Sequence, residues 1–209
     1  MSNDPFEPAP DEGAPQQPQP PQHISARVPD PISRGVFSTG SIVVTGGNEF
    51  VIDFVQNLGQ PALIVARIVM PHVTMPQFIQ ALQQNIDNFT NRFGPPPELP
   101  KATKPGPAPN IQSVYDDLKL PDEMLSGSYA NGVMISHTPS EFKFDFLTNL
   151  FPQTAVSARV ILSAPQVPRM LESLKGTYAQ FEQRVKEQQK KQQQPPPDDP
   201  PSTDPPESE

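Results

Sequence analysis

Tyr129-Ala130-Asn131-Gly132-Val133-Met134-Ile135-Ser136, followed by Glu141-Phe142-Lys143-Phe144-Asp145-Phe146 and Ala158-Arg159-Val160-Ile161-Leu162, opens a stretch that runs to Arg184 and occurs twice. Ninety-two positions earlier, with no gap, Gly132 falls on Gly40, Glu141-Phe142 on Glu49-Phe50 and Asp145-Phe146 on Asp53-Phe54. Asn149-Leu150 falls on Asn57-Leu58, Ala158-Arg159 on Ala66-Arg67, and Pro168, Leu174, Phe181 and Arg184 on Pro76, Leu82, Phe89 and Arg92. The lead-in repeats too, because Pro121-Asp122 and Gly127 match Pro29-Asp30 and Gly35. The chain therefore carries a duplicated domain.

Each copy reads as strand, strand, strand, helix. Val36 to Thr45 is rich in β-formers and ends at Gly46-Gly47-Asn48, a turn signal. Phe50, Ile52 and Phe54 then alternate with Glu49, Val51 and Asp53, the period-two pattern of a strand with one buried face. Phe142, Phe144 and Phe146 repeat it against Glu141, Lys143 and Asp145. A third strand spans Ala62 to Met70, or Thr154 to Leu162, and pairing it with the second places Asp53 opposite Arg67 and Asp145 opposite Arg159. A helix follows, with Thr74 or Ser163 as its expected N-cap and prolines in its first turn. Its apolar stripe is Phe78, Ile79, Leu82, Ile86 and Phe89, or Met170, Leu171, Leu174, Tyr178 and Phe181.

The expected fold is α+β: two units, each a three-stranded antiparallel sheet covered by its own helix, packed as a pseudo-two-fold intramolecular dimer. The units are placed at 28–94 and 120–187, with Val28 to Gly35 as an arm lying against its own domain. Pro/Gln/acidic tails at 1–27 and 188–209 lack the apolar surface to offset the entropy of ordering. Between the units, 95–119 is a Pro-rich spacer with a short helix over Ile111 to Leu118. A unit of about 60 residues is marginal alone, so pairing would ease a real deficit.

Charge is distributed unevenly: of the net -8, residues 1–35 carry -3 and 187–209 carry -4, whereas 126–186 carry +2. Folded repeats near neutrality neither call for nor exclude an anionic ligand, although the acidic whole disfavours non-specific nucleic-acid binding. With no cysteine in the sequence, disulfide and thiolate chemistry are excluded. No apolar run approaches the roughly 18 residues of a membrane span, and the N-terminus has no signal-like segment. A cytoplasmic protein without membrane contact is expected.

Leu120-Pro121-Asp122-Glu123, Tyr129-Ala130-Asn131-Gly132, Glu141-Phe142 with Asp145-Phe146, and Ala158-Arg159-Val160-Ile161-Leu162-Ser163 together resemble a small prokaryotic family, domain of unknown function 3467. The resemblance covers Leu120 to about Arg184; the first copy looks like a diverged version, with Phe37-Ser38-Thr39-Gly40 in place of Tyr-Ala-Asn-Gly. The family brings no established activity, cofactor or catalytic residue. It implies that single-copy members self-associate and that this chain fuses two such units.

The candidate sites are few. His23, His72 and His137 show no metal-ligand spacing, and His137, in a hairpin turn, reads as a solvated turn residue. Glu49/Glu141 and Asp53/Asp145 read as solvated or salt-bridged carboxylates on a polar strand face rather than an acid–base pair. Arg67 and Arg159 read as their cross-strand partners rather than as anion ligands. No phosphate loop, nucleophile elbow or His-Glu-x-x-His motif is present. No enzyme, cofactor or metal is expected. Whatever is specific to this chain should lie where the copies differ, so Tyr129, Asn131, His137, Lys143, Arg169 and Lys175 are candidate interaction residues, and Arg159, shared with the first copy as Arg67, joins them as one of the basic residues of the second repeat. The expected function is a non-enzymatic binding or assembly module, acting on an unknown protein partner or by self-association through outer sheet faces or strand edges. The alternative is a single-stranded nucleic-acid binder using the sheet face and the basic second repeat.

Overall fold

A computed structural model of the chain describes residues 26–100 and 110–193. The disorder expected of both tails and the extended spacer concern, over 1–25, 101–109 and 194–209, segments outside the described residues, whereas 188–193, assigned to the C-terminal tail, continue the last helix to Gln193.

The described chain is α+β. The first copy contributes β1 (Val36–Ser38), β2 (Gly40–Thr45), β3 (Glu49–Gln56), β4 (Ala62–Pro71) and α1 (Met75–Phe93). After a short helix α2 (Ile111–Asp116), the second contributes β5 (Leu118–Lys119), β6 (Ser128–Tyr129), β7 (Gly132–His137), β8 (Glu141–Leu150), β9 (Gln153–Ser163) and α3 (Val167–Gln193). The alternating Phe strands become β3 and β8, each central among its neighbours, with Phe50, Ile52, Phe54, Phe142, Phe144 and Phe146 all fully buried. The cross-strand register is the one the alternation implied: Asp53 pairs with Arg67 and Asp145 with Arg159. Both copies also break register at one shared place, between Phe54 and Val55 and between Phe146 and Leu147.

Two self-contained three-stranded sheets do not form. There are two mixed sheets, ordered β1-β9-β8-β7 and β2-β3-β4-β5, with β6 also on β4. The extra strands are parallel and each comes from the other copy: β1 runs along β9, whereas β5 and β6 run along β4. Val36 to Thr45 is accordingly not one strand but two, bent at Thr39, whose N–H still donates to Val55 O at 2.8 Å. The reason lies in strand spacing. To pair with its own β4, β1 would lie three strands away from β2, about 14 Å at roughly 4.8 Å per strand. The single residue Thr39 cannot span that, since one residue reaches only about 3.5 Å. The equivalent edge of the other copy is within reach, and pairing there removes an open row of N–H and C=O groups. The arm from Val28 to Gly35 thus lies on the other copy, not on its own.

The helices cross over as well. Phe78 of α1 meets Phe144 and Phe146 edge-on at 6.3 and 5.8 Å, and Phe89 meets Phe142 at 5.2 Å. Phe181 of α3 meets Phe50 at 5.4 Å. The expected stripes are buried at Phe78, Leu82, Phe89, Met170, Leu171 and Leu174 and half-buried at Ile79, Ile86, Tyr178 and Phe181, but each helix turns its aromatic side chains to the other copy's strands. Burial joins both copies in one core, which answers the size problem of a 60-residue unit. The caps differ from expectation: Thr74 makes no side-chain cap bond, and a 3-10 turn at Ala164–Gln166 separates Ser163 from α3.

Candidate functional site

The most elaborate polar construction among the described residues is a pair of clasps, one per copy, where an arm crosses a sheet. Asp53 and Asp145 lie on the strand face opposite the phenylalanines, yet they are not solvated. Asp53 is wholly buried and Asp145 is 4% exposed. Each accepts two hydrogen bonds from one guanidinium: Arg67 Nε and Nη2 at 2.8 Å each, and Arg159 Nε at 2.6 Å and Nη2 at 2.9 Å. Side-on pairing of this kind is the strongest form of charge-assisted bond, and it raises the pKa of both arginines above their ordinary value, against the opposing effect of burial.

The remaining Nη1 of each arginine reaches the incoming arm. Arg159 Nη1 donates to Ser33 O at 2.8 Å, and Arg67 Nη1 lies 3.5 Å from Leu125 O. Two residues further on, Gly35 and Gly127 adopt φ of 69° and 67°. A Cβ there would come within 2.7 Å of Arg159 Cγ and 2.9 Å of Arg67 Cγ. Glycine is thus required twice over, by its left-handed backbone and by the arginine stem it rests on. A hollow of about 200 Å³ between the arms is lined from both copies, by Ile32, Val65, Arg67, Met124, Ser157 and Arg159 among others.

One element breaks the equivalence. Tyr115 of α2 donates its hydroxyl to Asp53 Oδ2, and burial first, then this bond, push the Tyr115 pKa above its ordinary value of 10.0. On the other copy Lys143 Nζ lies 3.8 Å from Asp145 Oδ2 instead. An open cleft of about 970 Å³ also lies between the β3–β4 loop of the first copy and α2, lined by Asn57, Gln60, Ser113, Asp116 and Asp117.

The residues singled out by their difference between copies do not converge. Tyr129 is 43% exposed, but its counterpart Phe37 is 42% exposed. Their carbonyls accept equivalent bonds, from Thr148 Oγ1 and Gln56 Nε2. Asn131 Oδ1 accepts from Asn149 N at 2.8 Å, while Thr39 Oγ1 accepts from Asn57 N at 2.9 Å, so two residue types do one structural job. Arg159 is committed to its clasp, Arg169 donates to Pro100 O at 3.1 Å, and Lys175 donates to Gln83 Oε1 at 2.7 Å. Lys143 and His137 share a hollow of about 200 Å³ that also includes Glu141.

His137 is not a solvated turn residue. It ends β7 opposite Phe142, its ring 5.1 Å from that phenylalanine and 5.6 Å from Phe89 of α1. His72 fills the corresponding corner of the other sheet, 5.0 Å from Phe50 and 4.0 Å from Phe181. His72 Nε2 and His137 Nδ1 are buried without a hydrogen-bond partner among the described residues. His23 lies outside the described residues. No helix among the described residues is long and apolar enough to cross a membrane.

Sequence reading missed Tyr115 and the arm glycines as parts of a site. Gly35 and Gly127 did carry a signal, since they recur with the Pro-Asp pairs Pro29-Asp30 and Pro121-Asp122 at the spacing of the duplication.

Two homologous α+β halves that share one core and exchange arms and helices define the class of protein. The chain belongs to the family described as "Protein of unknown function (DUF3467)", whose model matches it twice, over residues 8–96 and 97–189. No curated protein and no solved structure matches this chain.

Proposed function

We propose that the chain is a non-enzymatic binding or assembly module whose two halves form an intramolecular pseudo-two-fold dimer. The symmetry is supported by residues at equivalent positions that meet: Phe54 lies 5.6 Å from Phe146, and Gln83 bonds to Lys175. Such self-contacts belong on a two-fold axis. They fall in the core and between the helices, while the arms exchange reciprocally.

The observation that carries the binding role is apolar exposure at both hairpin tips. Leu58 is 73% exposed, its counterpart Leu150 57%, and Phe151 beside it 100%. A phenylalanine wholly in water next to an exposed leucine gains from any apolar partner surface. Strand edges are the weaker choice, since β4 and β9 have their outer edges filled by arms. The outer face is also partly spent on the clasps.

Affinity capture with the wild-type chain and with the Leu58→Ser/Leu150→Ser/Phe151→Ser variant tests this reading. A specific protein or a second copy held by the first and lost by the second is the expected result. Binding of single-stranded oligonucleotide that weakens steeply with salt would overturn it. For the pseudo-dimer, Val28–Gly94 and Leu120–Lys186 are produced separately. Each is expected to be poorly folded alone and to gain structure on mixing; two folded monomers that ignore each other would refute the pairing.

A further inference from the structure

The two arms share the frame Pro-Asp-x-[Ile/Met]-x-x-Gly, at Pro29 to Gly35 and Pro121 to Gly127. Each makes a 3-10 turn, Asp30–Ile32 or Asp122–Met124, and each leaves through a left-handed glycine into a parallel pairing. The groove that receives the first arm can be followed residue by residue. Arg27 N donates to Thr154 O at 2.9 Å, and Val156 N donates to Arg27 O at 2.8 Å. Arg159 Nη1 then holds Ser33 O, Gly35 rests on the Arg159 stem, and Val36 to Ser38 run along Val160 to Leu162. Main-chain bonds supply attachment, and the turn, the glycine and the Ile32 or Met124 position supply selectivity. That is how strand addition to a sheet edge recognises a peptide.

These contacts belong to the arm and the groove, and no part of them requires the two to share a chain. We propose that the β9 groove, with Arg159 at its centre, is a recognition site for a Pro-Asp-x-[Ile/Met]-x-x-Gly arm, and that the partner it fits is a second chain carrying this same domain. The inference rests on the pseudo-two-fold reading: if two halves of one chain are equivalent to two separate domains, an arm from elsewhere finds an equivalent seat. Within one chain the tether supplies an effective concentration on the order of millimolar. The chain's own arm therefore outcompetes a foreign one until it is released or until chains are crowded.

The test uses the full chain carrying Gly35→Val, whose Cβ collides with Arg159, and a fluorescent peptide of residues Ala26–Thr39. The peptide is expected to bind the variant at least about tenfold more tightly than the wild-type chain, whose groove is filled by the tethered arm. The same peptide with Gly35→Val should lose that binding. A folded variant that does not take up the native peptide overturns the proposal. Should the variant fail to fold, two differently tagged wild-type chains are unfolded and refolded together at increasing concentration. Mixed dimers that grow with concentration support the proposal, and monomers alone at the highest concentration overturn it. The hairpin-tip residues play no part in either experiment, so its outcome is separable from that of the capture experiment.

Discussion

The clasps of the two halves start from one design and end differently. In the first, Asp53 is wholly buried and takes three donors, two from Arg67 and one from Tyr115, while Arg67 Nη1 holds the arm carbonyl only loosely at 3.5 Å. In the second, Asp145 keeps a trace of exposure and has Lys143 in place of the tyrosine, while Arg159 Nη1 grips Ser33 O at 2.8 Å. Strand register alone places each carboxylate opposite its arginine. What covers the pair differs in origin: Tyr115 comes from α2, outside the repeated strands, whereas Lys143 lies within β8 itself. Duplication thus fixed the pair, and later divergence changed its surroundings.

The largest expected separation between the clasps comes from removing the arginines. Arg67→Ala leaves Asp53 charged, buried and short of two donors, and should cost about 3–5 kcal/mol. Arg159→Ala should cost less, because Lys143 and a slightly open surface remain to the carboxylate. Denaturant midpoints at neutral pH measure both, and equal losses would show that the difference in cover is energetically irrelevant.

Tyr115→Phe comes next. It removes a hydrogen bond to a charged acceptor, worth about 1.5–3 kcal/mol, from the first clasp alone. Its pH dependence has a definite sign. The folded-state pKa is raised above 10.0, so the contribution is fully present below pH 10 and is lost as pH rises through the higher folded value. Thermal scans between pH 8 and 11 should show an alkaline decline that is shallower in Tyr115→Phe. An unchanged slope would mean that the hydroxyl does not hold its proton for Asp53.

Gly35→Ala and Gly127→Ala should each cost about 1–2 kcal/mol from the left-handed backbone alone, with an added cost where the arginine cannot yield. Gly35 is expected to be the more sensitive, because Arg159 is the arginine more firmly bound to its arm. Lys143→Ala is the smallest effect, within about 1 kcal/mol, since the lysine is partly exposed and 3.8 Å from Asp145. A larger loss would make it a true counterpart of Tyr115.

Much of this was readable beforehand, for reasons that can be named. The Phe50-Ile52-Phe54 and Phe142-Phe144-Phe146 alternations and the Phe78 to Phe89 stripe are short-range periodicities, so they report which face is buried without reference to the rest of the chain. The Asp53–Arg67 and Asp145–Arg159 pairs followed from hairpin geometry for the same reason. His137 was misread because its neighbour Phe89 is a helix residue of the other half, which no local pattern brings near. Asn131 and Thr39 looked different as residue types, yet both offer one oxygen to one backbone N–H. Tyr115 carried no pattern at all, because its partner lies 62 residues away.

By itself the sequence determined that there are two copies, where the two long paired strands and the helix of each fall, and which residues of the central strand face inward. It did not determine whose edge an arm completes or whose sheet a helix covers. The edges and sheets of the two copies repeat one pattern of inward-facing apolar residues, so local affinity does not choose between them. The choice is made by strand order, which leaves Thr39 in the first copy, and Ala130 with Asn131 in the second, too short to cross three strand spacings and so sends each arm to the other half.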